Sequence, residues 1–187
     1  MSSHMKLLLM AVTVPCGGMA VPFTVNAQDP HAHHAVTTEF PIPASIRAEH
    51  AEIHGELVAA TKLSGKTGEA ARNLGGVLDP HFQREEQIAL PPLGLLGPLS
   101  RGEFSASMTG IIAVTDSLRA EMPQMLAEHV QIRAAVAKLE EAARTENNAQ
   151  ALALTEKLKA HALTEEEVSY PAALLVGEMI KAKSEKK

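Results

Sequence analysis

Two stretches of the chain repeat one chemical pattern. HFQREEQIALPP (81–92) and HALTEEEVSYPA (161–172) both read His, three residues, Glu-Glu, four residues, Pro. Each is preceded by a second marker, EHAEI at 49–53 and EHVQI at 128–132, so His50 stands 31 residues before His81 and His129 stands 32 before His161. His and Glu four apart on a helix project from one face, with Cβ atoms roughly 5–6 Å apart. If those faces turn inward, the interior receives four imidazoles (His50, His81, His129, His161) and two carboxylates (Glu85, Glu165). One H-x-x-x-E on a helix is common on a solvated face. Four His and two Glu at internally repeated offsets call for another reading, because burying so many ionisable groups without a counter-ion costs several kcal/mol per charge.

Six nitrogen and oxygen donors exceed what one closed tetrahedral zinc takes. They fit two metal ions, each with two His, bridged by both Glu and left with open positions. Two non-haem iron ions are the natural occupants, with Mn or Zn also compatible because ligand preferences overlap. His54 shares a face with His50 and is a secondary ligand candidate; its counterpart in the second half is Arg133, read as a salt-bridge partner or lid. Glu86 and Glu166 lie about 100° further round their helices and, with Glu49 and Glu128, are expected at the surface or as outer partners of the ligands. Tyr170, the sole phenol, sits beside Pro171 and is read as structural, so no catalytic residue is assigned. Other chemistries find no support. HAEIH has Ala51 where a zinc protease needs its base, no bundle His is preceded three residues earlier by Glu as in ferritin-like sites, and no nucleophile elbow occurs.

The elements that must position these donors are helices. Ile46, His50, Ile53, Leu57 and Ala60 recur at three- and four-residue steps up to Ser64-Gly65. A second helix is expected from about Thr67 to Leu90, weakened at Gly75-Gly76, kinked at Pro80 and stopped by Pro91-Pro92. The 91–122 connection should hold a short helix near 105–120. Pro123 fits the first turn of a third helix reaching about Arg144. A fourth should run from about Asn148 to Ser169, limited by Pro171, with a final helical piece behind it. The predicted fold is all-α, an up-down four-helix bundle over 45–182 with internal pseudo-symmetry.

Composition agrees. The chain has 187 residues, 45% hydrophobic but only 3% aromatic, which favours Ala- and Leu-rich helices over a β-sandwich. The net charge of −5 and the lack of a basic patch exclude nucleic acid as an expected partner. Met1–His4 reads as a tag remnant, and Met5–Gln28 as a secretory signal peptide cut after Ala27. Pro15, Gly17 and Gly18 interrupt its apolar run, so no stable membrane insertion of the mature chain is expected. Cleavage would remove Cys16, the one cysteine, and with it any disulfide or thiolate chemistry. The expected location is periplasmic or secreted. Residues 28–44, with His31, His33 and His34, read as a mobile leader.

The segments EHAEIHGEL, HFQREEQIALPPL, MLAEHVQI and HALTEEEVSYPAALLVG resemble hemerythrin-like (HHE cation-binding) domains over roughly 45–178. The resemblance implies an up-down four-helix bundle holding a non-haem di-iron centre, with His50, His81, His129 and His161 as terminal imidazoles and Glu85 and Glu165 as bridges. The set departs from oxygen-carrying hemerythrins, where the slot of Arg133 is a second His and the fourth-helix carboxylate is an Asp one residue later. It is closer to the repair-of-iron-centres proteins, without their cysteine-bearing amino-terminal domain. This points away from simple O2 carriage and toward O2, NO or peroxide as the small-molecule partner; no residue singles out an electron donor or an oligomeric state. The alternative is a non-catalytic iron- or zinc-buffering protein.

Overall fold

The computed structural model describes residues 40–185. The expected signal peptide, Cys16 and the His31/His33/His34 tract lie outside the described residues. Six α-helices follow in order: α1 Ala44–Thr61, α2 Gly65–Ile88, α3 Leu96–Ser100, α4 Ile111–Thr145, α5 Ala149–Thr164 and α6 Tyr170–Ser184. A π-helical turn, Glu165–Ser169, joins α5 to α6 without a break, and 3-10 turns at Pro91–Leu95 and Ala106–Gly110 flank α3. Around the bundle α1 packs on α2, α2 on α4, α4 on α5, and α5 back on α1. No strand occurs among the described residues, and none of the described helices is long and apolar enough to cross a membrane.

Each helix buries one stripe in which donors interrupt apolar residues. On α1 the buried residues are His50, Ile53, Leu57 and Ala60; on α4 they include Leu118, Met125, His129, Ile132, Val136 and Leu139. The donor layer therefore lies between two apolar layers. One is built from Ile53, Leu57, Leu74, Leu78, Ile132, Val136, Leu154 and Leu158, the other from Ile88, Leu90, Leu93, Leu118, Met125, Tyr170 and Ala173. Such layers hold water out of the polar one between them, which strengthens every electrostatic contact inside it.

The sequence predicts a kink at Pro80, a helix start at Pro123 and a helix end at Pro171, but helical backbone continues through all three. Helix α2 runs through Gly75-Gly76 and Pro80, α4 through Pro123, and helical backbone passes Pro171 into α6. Proline removes one N–H and leaves the carbonyl four residues earlier without its helical donor. Here those carbonyls belong to Gly76, Arg119 and Glu167, all exposed, as are the prolines themselves. Exposure lets water stand in for the missing donor. The expected third helix starting at Pro123 is thus the second half of a 35-residue helix.

Close approaches fix the connections. A Cβ on Gly177 of α6 would lie 2.1 Å from Thr115 Oγ1 of α4, and one on Gly94 2.1 Å from the Pro41 carbonyl. Only glycine permits contact that tight. Phe40, placed in the leader by sequence, is buried with Leu95, Leu99 and Ile111.

Candidate metal centre

All six repeated donors are buried, from 0% exposed at Glu85 to 5% at His161. They form two groups of four that share both glutamates. His50, His161, Glu85 and Glu165 make one; His81, His129, Glu85 and Glu165 make the other, and within each group the potential ligand atoms lie within 4.8 Å of one another. Each carboxylate turns one oxygen to each group. Glu85 Oε2 is 3.9 Å from His50 Nε2, while its Oε1 is 3.4 Å from His81 Nε2. Glu165 Oε1 is 3.6 Å from His50 Nε2 and 3.0 Å from His161 Nε2, while its Oε2 is 3.5 Å from His129 Nε2.

The outer carboxylates complete a ring around these imidazoles. His81 Nδ1 is 2.8 Å from Glu128 Oε2, His129 Nδ1 is 2.8 Å from Glu166 Oε1, and His161 Nδ1 is 3.2 Å from Glu49 Oε1. His50 Nδ1 is 3.7 Å from Glu86 Oε1, beyond hydrogen-bond reach. The four long helices of the bundle thus each contribute an inward His, and three of the four outer carboxylates reach the His of a neighbouring helix. An outer acceptor at Nδ1 fixes the proton there and leaves the Nε2 lone pair facing inward, the tautomer a metal ligand needs. Glu166 is itself paired with Arg133, and Gln124 Nε2 donates to Glu128 Oε1 at 2.9 Å.

Both inner glutamates accept a backbone bond from five residues on, Glu85 at the end of α2 and Glu165 within continuous helix. The Leu90 N–H donates to the Glu85 carbonyl at 2.9 Å, and the Tyr170 N–H to the Glu165 carbonyl. These five-residue bonds are π-type turns, which concentrate at functional sites. The second turn brings the Tyr170 side chain inward: its hydroxyl donates to Glu85 Oε1 and lies 3.2 Å from His129 Nε2. Phe82 stacks on His50 at 4.1 Å between centroids.

Electrostatically the cluster calls for cations. Burial, the largest single influence on His50, pushes its imidazole down from the ordinary 6.5; Glu165, Glu86 and Glu85 together outweigh it and hold the group at about 9. His81 is likewise pushed down by burial and raised further by Glu85, Glu128 and Glu165, to about 9. Burial, then the charge of Glu165, pushes the Glu85 carboxyl up. Burial also pushes Glu165 up, but His129, His161 and His50 pull it well below the carboxylate range. Inward-facing His50 Nε2, His81 Nε2, His161 Nε2, Glu85 Oε2 and Glu165 Oε1 have no hydrogen-bond partner. Leaving that many buried donor atoms unsatisfied is costly. Two cations would satisfy them all, so the residues fit a metal pair.

All six expected donors come together. His54 does not join either group; its Nε2 faces Asp79 Oδ1 at 4.0 Å. Arg133 is the expected salt-bridge partner. Tyr170, structural by its sequence position alone, and Phe82 are the site residues that sequence reading misses. The available signal is that the repeats differ in side-chain type at these two positions, Leu90 against Tyr170 and Phe82 against Ala162. A groove of about 450 Å³, lined by residues including Gly76, Pro80, Arg84, Glu121 and Gln124, leads from solvent to His81 and Glu128.

A four-helix bundle that gathers four His and two Glu into a dry interior layer defines a class, the helical cation-binding proteins. The hemerythrin HHE cation-binding domain family matches residues 42–173, and the chain belongs to that family. No curated protein and no solved structure matches the chain.

Proposed function

We propose that the protein is an exported non-haem di-iron protein that binds or reduces a small oxidant or gas: O2, NO or peroxide. His50 and His161 would hold one iron and His81 and His129 the other, with Glu85 and Glu165 shared between the two groups. The observation that carries this reading is the sharing of both glutamates by two groups of four buried donors, with five of the inward atoms unsatisfied. When bound, such a metal pair supplies redox-active open positions for a small ligand. The chain's own residues do the rest. Glu128, Glu166 and Glu49 orient the imidazoles, and the apolar layers keep bulk water out. The groove beside His81 and Glu128 supports an approach to the layer from that side. Export is supported by the apolar run and small-residue cleavage site before Gln28.

Anaerobic Fe(II) titration tests the proposal. Two irons per chain should bind, and admitting O2, NO or peroxide should produce a new visible or near-ultraviolet charge-transfer band. Two tightly held zinc ions with no spectral response of the iron form to any of the three would favour metal buffering instead. The absence of stoichiometric metal would end both readings.

A further inference from the structure

The two groups of four donors are not equally ready for an ion. In the His50/His161 group, His50 Nε2, His161 Nε2, Glu85 Oε2 and Glu165 Oε1 all lack a partner. In the His81/His129 group the Tyr170 hydroxyl donates to Glu85 Oε1 and lies 3.2 Å from His129 Nε2. Tyr170 is 1% exposed, so no bulk water stands by to replace it. The pseudo-symmetric position is Leu90, which has no hydroxyl to offer the first group. An ion entering the first group breaks no side-chain hydrogen bond and satisfies four orphaned atoms. An ion entering the second takes the Nε2 lone pair of His129 and draws charge from Glu85 Oε1, weakening both contacts of the phenol.

We propose that Tyr170 sets the order in which the two metal positions fill: the His50/His161 position first, the His81/His129 position second and more weakly. The inference rests on the two-metal reading above. Tyr170 acts here as a positioning residue, through its grip on Glu85 and its contact with His129.

Calorimetric titration of the full chain with Fe(II) under anaerobic conditions, and with Zn(II) as a redox-silent probe, tests it. The wild-type protein should show two resolved steps. Tyr170→Phe should leave the first constant unchanged and strengthen the second about tenfold or more, the scale of one hydrogen bond to a charged group. General damage to the fold would instead weaken both steps together. His81→Ala should keep the tight step, and His50→Ala should lose it; this pair decides the order even if Tyr170→Phe does not fold. Two equal wild-type steps, a second step unchanged or weakened by Tyr170→Phe, or a tight step that survives His50→Ala would overturn the proposal. A wild-type chain that binds no stoichiometric metal overturns the metal-site reading itself.

Discussion

The α1–α2 half and the α4–α5 half of the bundle agree at the donors and differ at what touches them. His50 corresponds to His129, His81 to His161, and Glu85 to Glu165. Both inner glutamates start a π-type turn. Around this shared core the halves diverge: Phe82 against Ala162, Leu90 against Tyr170, His54 against Arg133. The difference reaches the carboxylates. Glu165 has three imidazoles within 3.6 Å, which hold its carboxyl well below the ordinary range. Glu85 has His81 at 3.4 Å, His50 only at 3.9 Å and a phenol, and burial, then the charge of Glu165, pushes its carboxyl up. Near-twofold geometry therefore does not give two equivalent groups of donors. Ligand count is set by the repeat, and ligand strength by the residues that break it.

The largest effect should come from the residues both positions share. Glu85→Ala and Glu165→Ala each remove an oxygen from both groups of four. Either should weaken both positions by more than the roughly 10–100-fold expected when only an outer partner is lost. Metal analysis after dialysis, with melting curves before and after chelation, checks this; chelator should lower the wild-type Tm far more than that of either variant. A glutamate variant that keeps one position at wild-type affinity would show that the bridge is not shared.

Next comes Phe82, which stacks on His50 and stands 5.4 Å from His161. It is buried in the apolar layer below the donors, so Phe82→Ala should cost about 3 kcal/mol in urea unfolding of the metal-free protein. Its effect on metal should fall on the His50/His161 position, because no ring stacking joins it to His81 or His129. Equal weakening of both positions would mean that the two share one mechanical support.

The outer carboxylates give a finer contrast. Glu128 sits within hydrogen-bond distance of its His and Glu86 does not. Glu128→Ala should therefore weaken metal at the His81/His129 position by about 10–100-fold. Glu86→Ala should change the His50/His161 position severalfold less. Titrations of the two variants side by side measure the ratio, and a Glu86→Ala loss as large as that of Glu128→Ala would show that the ring closes fully once metal is bound.

The six donors are legible in the sequence because metal-binding residue types at helical spacing, repeated in register, rarely arise on a solvated face. The helices that carry them are legible from the same period. The helix start expected at Pro123 and the helix end expected at Pro171 do not occur, for a physical reason. A proline ends a helix when its freed carbonyl finds no substitute donor, and whether Arg119 and Glu167 face water depends on the assembled bundle. The role of Tyr170 is hidden by the same dependence. A four-residue helical step would aim it elsewhere, and only the π turn at Glu165–Ser169 sends it to Glu85. The ring of outer carboxylates is half legible: the residues are evident, but which imidazole each meets depends on which helices are neighbours.

The halves also differ at the start of their second helix, where the smallest effect is expected. Helix α5 begins locally, with Asn148 Oδ1 accepting from the Ala151 N–H at 2.9 Å. Helix α2 has no side-chain cap from Ser64; Glu146, from the far half, accepts from the Lys66 N–H at 2.7 Å, the Thr67 N–H at 3.0 Å and the Thr67 hydroxyl at 2.6 Å. Those bonds, the Thr67 hydroxyl first, hold the Glu146 carboxyl below its ordinary range. A carboxyl depressed by folding adds stability that is complete above its unfolded pKa and disappears as pH falls through its folded one. Asn148 carries no such dependence, so Asn148→Ala should cost about 1 kcal/mol at any pH where the protein folds. Glu146→Ala should lower stability at about pH 7 and lose that effect as the pH drops below the ordinary glutamate range of about 4.3. Urea unfolding of the metal-free variants across this range separates the two caps. A Glu146→Ala penalty that stays constant with pH would mean that α2 is held by packing against α4 rather than by a charge at its start.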